Sequence, residues 1–263
     1  MDIVTRAKIN LFAVLRNLQE LCTLDKASQE AIKDANLSVG FKVPSVGEAT
    51  LVFKDGKCTF RRGDSKSSLK LIFLSAEHFN KLIDGGKTIP IFFNVFQAGF
   101  LLKTFITLAD RLSYYLQPEK TPAFKDQPEK LAELLKDQEY FNISTTLTAC
   151  TAFFALCEVG NSDPIGKLTA ARIPDGVISC TVKGGPALNI TVGKDHVMTA
   201  ALGEVSDWRA SMEFADMQFA SDILRGKTDT FTGMGTGKFA IKGFVPMLEN
   251  MAKLLAQVAF YLK

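Results

Sequence analysis

The feature that most constrains this fold is a 48-residue plan, seen in residues 208–255, that the chain uses twice. There it reads WRASMEFADMQFASDILRGKTDTFTGMGTGKFAIKGFVPMLENMAKLL. Trp208, Ala210, Met212 and Phe214 alternate with Arg209, Ser211, Glu213 and Ala215, the two-residue period of a half-buried strand. Asp216 takes the place of a helix N-cap, Phe219, Ile223 and Leu224 are spaced to share one helical face, and Gly226 stands where a closing glycine would. After a glycine-rich link, residues 238–243 alternate again. Pro246 then opens an amphipathic helix carrying Met247, Leu248, Met251, Leu254 and Leu255. Residues 69–116 follow the same order of strand, short helix, strand and apolar helix. Adding 139 carries Phe100, Lys103, Phe105, Leu112 and Leu116 onto Phe239, Lys242, Phe244, Met251 and Leu255. On that offset residues 100–105 are expected to be the counterpart of the strand at 239–244.

The rest of the chain repeats the plan as well. Residues 3–23 read as an amphipathic helix, and residues 36–43, 49–53 and 57–61 alternate as strands, with Asp55-Gly56 as a tight hairpin turn. Val39 and Val43 fall on Ile178 and Val182. Pro118, Pro122 and several charges mark a linker in which Pro128 opens a short helix. A helix over 143–159 stands where the first helix stood. The expected division is 1–117 for a divergent first domain, 118–136 for the linker and 137–263 for the second domain. A period this long describes a duplicated domain, not a solenoid.

The run FADMQFASDILRGKTDTFTGMGTGKFAIKGFVPMLENMAKLL resembles the C-terminal half of the sterol carrier protein type-two domain family. That family ends in an acidic turn, a short helix closing on Gly-Lys, an alternating Gly-Lys-x-x-x-x-Gly strand and an apolar helix. The matching letters are Asp216, Gly226-Lys227, Gly237-Lys238, Lys242-Gly243 and the helix from Pro246. The resemblance is close over about forty residues, and residues 172–215 share only the strand pattern. The first copy departs from the family where Asn94-Val-Phe-Gln-Ala98, preceded by Ile91-Phe92-Phe93, replaces the second copy's Gly233-Met-Gly-Thr-Gly237. This bulky segment is expected to be helical.

The resemblance implies an α+β fold in two tandem copies, each a mostly antiparallel sheet of about five strands covered on one face by helices. It also implies an apolar tunnel between sheet and helices that holds an acyl chain, acyl-CoA, phospholipid or sterol-like ligand without catalysis. The candidate lining in the second copy is Trp208, Met212, Phe214, Phe219, Ile223, Phe231, Met234, Phe239, Ile241, Met247, Met251 and Leu255. In the first copy it is Phe79, Ile83, Phe92, Phe93, Phe96, Phe100 and Leu112. Methionines repack cheaply around varied chains, and four of the chain's seven are in this set. Gly233, Gly235 and Gly237, or the last helix, would form the gate. Two alternatives stay open. One is a structural or regulatory pseudo-dimer module with filled interiors; the other is an enzyme with a polar site in the cleft between copies.

Composition narrows the classes further. Hydrophobic residues make up 47% of the 263 and charged residues 22%, which supports a sizeable core. The 21 phenylalanines, against 4 Tyr and 1 Trp, supply apolar ring surface without polar handles. A net charge of +3 with no dense basic run excludes a nucleic-acid partner but permits transient contact with an anionic membrane surface. Five cysteines without a framework spacing imply a reduced, intracellular chain. The N-terminus has no apolar signal core, the apolar runs at 91–102 and 147–157 are short for a bilayer, and the C-terminus is not the peroxisomal Ser-Lys-Leu. The expected protein is cytoplasmic, a monomer with two pseudo-symmetric halves or a weak homodimer.

Catalytic and cofactor motifs are not legible. Gly233-Met-Gly-Thr-Gly-Lys238 lacks the Walker spacing, and Phe239 stands where Ser or Thr would bind magnesium. His78 and His196 have no ligand-spaced neighbours, and no nucleophile elbow occurs. Asp216, Asp222 and Asp229 suit caps and turns better than an acid–base pair. Lys103 and Lys242 are expected on a solvated strand face in preference to a headgroup site. No metal, cofactor or enzymatic activity is expected.

Overall fold

The computed structural model describes residues 1–63, 66–93, 99 and 101–262, the side chains of 101 and 102 excepted. Phe96 and Phe100 lie outside the described residues. The fold is α+β with two five-stranded mixed sheets. The chain divides into two compact units, Met1–Ile143 and Ser144–Lys263.

In the first unit a helical run covers residues 3–24. It begins as α1 (Ile3–Ile9), widens through Asn10–Val14, tightens through Leu15–Asn17 and ends as α2 (Leu18–Leu24). Its buried face holds Ile9, Leu11, Leu18 and Leu21. After α3 (Lys26–Ile32) come β1 (Leu37–Val43), β2 (Gly47–Lys54), β3 (Lys57–Arg62) and β4 (Leu69–Ile72). Asp55 and Gly56 take φ of 52° and 67°, the double positive turn that suits a two-residue hairpin. Then follow α4 (Ala76–Ile83), β5 (Ile91–Phe93) and α5 (Ile106–Leu116). The short α6 (Pro128–Leu134) buries none of its residues.

The long helix α7 (Gln138–Ser162) carries the division between the units. The second unit adds α8 (Pro164–Ala170), β6 (Gly176–Val182), β7 (Ala187–Val192) and β8 (Met198–Leu202). It continues with β9 (Ala210–Phe214), α9 (Met217–Leu224), α10 (Thr230–Gly235), β10 (Phe239–Gly243) and α11 (Val245–Tyr261). Asp216 caps α9, its carboxylate accepting from the Phe219 amide at 2.7 Å.

The sheets run in the orders β3-β2-β1-β4-β5 and β8-β7-β6-β9-β10, so corresponding strands take corresponding places. Neither sheet is simply antiparallel: β1 pairs parallel with β4, and β6 with β9. In each unit the third strand lies at an edge, and its connection passes the second and first strands before the fourth starts beside the first. Alternation within a strand carries no information about that partner.

Three local expectations are corrected. Ile91–Phe93 is a strand, not a helix, and it takes the edge position that β10 takes in the second sheet. Leu101–Phe105 is helical, so the constant offset fails there and Lys103 lies on a helix. The apolar run at 147–157 is the middle of a 25-residue helix, long and apolar enough to cross a bilayer. Its apolar window is 89% buried in the fold, as a helix apolar on every side requires.

Candidate functional site

The inward face of the second sheet is built in rows across paired strands. Leu188, Cys180, Met212 and Ile241 form one row, and Val182, Phe214 and Phe239 form the next. At the Phe214 end three rings gather: Phe214 lies 4.9 Å from Phe239 and 6.2 Å from Phe219 of α9, centroid to centroid. Such offset and tilted contacts add to the area that the rings bury.

The cover over these rings is α10, the segment expected to be a flexible glycine link. Asp229 caps it, accepting from the amide and the hydroxyl of Thr232 at 2.9 and 3.0 Å. Gly233 is its buried residue, and the fit there is tight. A Cβ at that position would lie 2.3 Å from Cζ of Phe219 and 2.8 Å from Cβ of Phe239. The large apolar side chains of α10 point the other way, with Phe231 79% and Met234 39% exposed. This helix turns its glycine to the core and its hydrophobes to solvent.

The three glycines therefore differ in kind. Gly235 has open space around it, while Gly237 has a φ of 71° that side chains resist. Replacing Gly233 by alanine should destabilise the second unit by about 1–3 kcal/mol through overpacking. Gly235→Ala should be neutral or stabilise by up to about 1 kcal/mol, because the helix gains propensity without a clash. Urea unfolding of the two variants checks both signs.

The other candidates fall into distinct environments. Met247 and Met251 have no exposed surface, nor has Phe79 in the first unit, and Leu112 is 4% exposed. A void wide enough for an alkyl chain would leave surface on the side chains around it, so these residues are packed against protein. Ile83, Ile223, Ile241 and Leu255 are half-buried. Phe92 and Phe93 sit exposed on the edge strand. Trp208 departs from the expected lining. It precedes β9 and lines an open groove of about 640 Å³ on the outward face of the sheet, opposite the helices. A second groove of about 410 Å³ lies on the outward face of the first sheet, beside Lys42, Lys70 and Phe93.

In each unit the helix that follows the fifth strand is tied down by a polar contact that the sequence pattern does not reveal. Tyr261 donates its hydroxyl to Asp163 at 2.5 Å, and Asp163 also caps α8 through the amides of Ile165 and Gly166. In the first unit Tyr115 of α5 donates to Asp25 at 3.0 Å, and Asp25 caps α3 through Ser28. An Asp just before a helix is a readable cap signal; its distant tyrosine is not. Because α11 is pinned near its C-terminus and has Met247, Met251 and Leu254 fully buried, α10 is the more weakly held cover.

Polar candidates resolve into structural roles. His78 accepts from the Leu74 amide at 3.2 Å, and His196 contacts the Ile173 carbonyl at 3.0 Å. Lys242 pairs with Glu213 across β10 and β9 at 2.7 Å. Among the described residues no three His, Cys, Asp or Glu side chains are grouped to hold a metal.

No protein-family model matches the chain, and no curated protein matches it. Solved structures similar to it include the sterol carrier protein domain 2 of Helicoverpa armigera, at 15% identity and a TM-score of 0.34, covering 43% of this chain and 89% of that one. Sterol carrier protein 2 like 2 from Aedes aegypti is similar at 17% identity and a TM-score of 0.29, covering 42% and 95%. The UbiJ-SCP2 ubiquinone synthesis protein is similar at 15% identity and a TM-score of 0.31, covering 39% and 85%.

Proposed function

We propose that the second unit binds an apolar chain, such as a fatty acid, acyl-CoA, phospholipid or sterol-like molecule, and carries it without chemical change. The ligand enters when α10 lifts from the ring cluster of Phe214, Phe219 and Phe239. The inverted cover carries this reading: a six-residue helix holds the rings through one glycine and leaves Phe231 and Met234 in solvent. Withdrawal of α10 sacrifices little buried surface and brings two apolar side chains to the edge of the opened space. The buried side chains of Met212, Met247 and Met251 can repack around a guest. The residue order from Asp216 to Leu255, which resembles the sterol carrier type-two pattern, supports the same reading. We take residues 1–117 and 137–263 as duplicated domains in a cytoplasmic protein, with transient membrane contact during transfer.

Delipidated protein should be stabilised by at least one of palmitate, palmitoyl-CoA, a phosphatidylcholine or cholesterol. At a free ligand concentration of about 100 Kd the expected gain is about 2.7 kcal/mol, seen as a raised Tm. Native mass spectrometry should show one guest per chain. No shift with any of the four, and no bound lipid in protein as purified, would overturn the reading. A structural or regulatory module with filled interiors is the second reading. The complete burial of Met247, Met251 and Phe79 favours it, and the absence of any guest is the outcome it requires.

A further inference from the structure

The C-terminal end of α9 carries a positive charge that the second unit does not answer. Arg225 is the C-cap of this helix and is half-buried, so solvent still reaches it. Its Nε donates to Ser221 Oγ at 3.2 Å and its Nη2 donates to Ser144 Oγ of α7 at 2.9 Å. Both serines are buried, and both are neutral. A guanidinium has five N–H donors in a planar fork. Two are used among the described residues, which leaves three.

The carboxylates of the same stretch are committed elsewhere. Asp216 and Asp229 cap α9 and α10, and Asp222 accepts from Gln218 at 3.1 and 3.2 Å. Among the described residues of the second unit the ion pairs are Arg209–Asp175, Lys242–Glu213 and Lys253–Glu249, and Arg225 belongs to none of them. The first unit shows the completed form of this contact. There the C-cap of the corresponding helix, α4, is Asp84, and it accepts from Arg6 of α1 at 2.7 Å. In the first unit, helix end and first helix carry opposite charges; in the second, the helix end keeps a charge and Ser144 stands opposite it.

A partly desolvated guanidinium with only hydroxyls for company gains most from a planar anion, which it can meet with two parallel hydrogen bonds. Its position suits the end of a carried chain. Arg225 lies six residues beyond Phe219, about 9 Å along the axis of α9, and residues 226–229 lead from it straight into α10. One end of α9 thus holds the ring that α10 covers, and the other holds the unanswered charge. We infer that Arg225 holds the acidic head of the carried molecule, a carboxylate or phosphate, while the chain follows α9 to the rings of Phe219, Phe214 and Phe239. This assignment rests on the carrier reading and narrows it to acids.

Dodecanoate and dodecanol share a twelve-carbon chain and differ in the charge of the head. Both are titrated calorimetrically into the full-length wild type, Arg225→Gln and Arg225→Lys. Wild type should bind the acid at least about tenfold more tightly than the alcohol, the worth of a hydrogen bond to a charged group. Arg225→Gln can still donate to a serine hydroxyl, and it should lose the preference while its affinity for dodecanol stays unchanged. Arg225→Lys keeps the charge without the fork and should retain part of the preference. Ser221→Ala frees one hold on the guanidinium and should weaken the acid alone, which provides the reading if the glutamine variant misfolds. Equal affinity of wild type for acid and alcohol, or a preference that survives in Arg225→Gln, would overturn the assignment and leave the carrier reading standing. A Tm raised by inorganic phosphate alone in wild type, and not in Arg225→Gln, would give the site to a free anion and overturn the head-group role. Binding of neither chain would end both readings.

Discussion

Asp25→Ala is expected to destabilise the first unit by about 3–5 kcal/mol, the usual result of removing one partner from a buried charged network. Asp25 is 4% exposed and accepts from the Ser28 amide at 2.9 Å, the Ser28 hydroxyl at 2.6 Å, the Tyr115 hydroxyl at 3.0 Å and Arg111 Nε at 3.1 Å. The substitution removes the cap of α3, worth about 1 kcal/mol, and leaves the Arg111 guanidinium without its carboxylate. Burial pushes the Asp25 carboxyl up, but the hydrogen bonds from Arg111, Ser28 and Tyr115 outweigh it and hold its pKa below the usual carboxylate range. The sign follows from linkage. A carboxylate whose pKa is depressed by folding contributes fully above its unfolded value of about 3.9, and the contribution is lost as pH falls through the folded value. Wild type should therefore lose stability on acidification below about pH 4 more steeply than Asp25→Asn. Urea unfolding across pH measures the difference, and hydrogen exchange at α3 and α5 localises it. A change under about 1 kcal/mol for the alanine variant would mean that the network is solvated, as exposed pairs are.

Phe219→Ala should cost the second unit about 3–5 kcal/mol and alter its response to apolar ligands. The ring is 4% exposed and lies between Phe214 and the backbone of Gly233. Its removal leaves a gap under α10 that the rigid sheet cannot close, and an apolar gap of this kind remains dry and accepts an apolar guest. The carrier reading adds a kinetic expectation. Acyl-chain exchange should be faster than in wild type, because the guest no longer has to displace a ring before α10 opens. Stopped-flow release of a fluorescent fatty acid measures the rate. Binding that appears only in the variant would favour the filled-interior module, since any cavity mutant can acquire a guest.

The legible parts of the fold were those set by short-range chemistry. Alternation placed β1, β2, β3 and β10 to within a few residues, Asp55-Gly56 placed the hairpin, and Asp216 placed the start of α9. The edge strand Ile91–Phe93 was not legible, because a three-residue strand has too little pattern and its identity rests on pairing with Lys70, Leu71 and Ile72. The constant offset misled there by placing the strand at 100–105. Trp208 kept the phase of its alternation but precedes the strand, so its ring was free to turn to the outward face. The glycine-rich segment hid α10, although Asp229 three residues before Thr232 was a usable cap signal. For the candidate site, residue type identified apolar side chains correctly. It could not tell which of them pack inward, as Met251 does, and which face water, as Phe231 does.

The tyrosine fastenings bear on how the chain acquires its shape during synthesis. Tyr261 reaches back 98 residues to Asp163, and Tyr115 reaches back 90 to Asp25. Closing such distant pairs is slow, and neither unit can make its fastening until the helix that carries its tyrosine has left the ribosome. Nascent sheets without that helix would show their greasy side to water, which makes each unit a natural client for a chaperone until its closing tyrosine emerges.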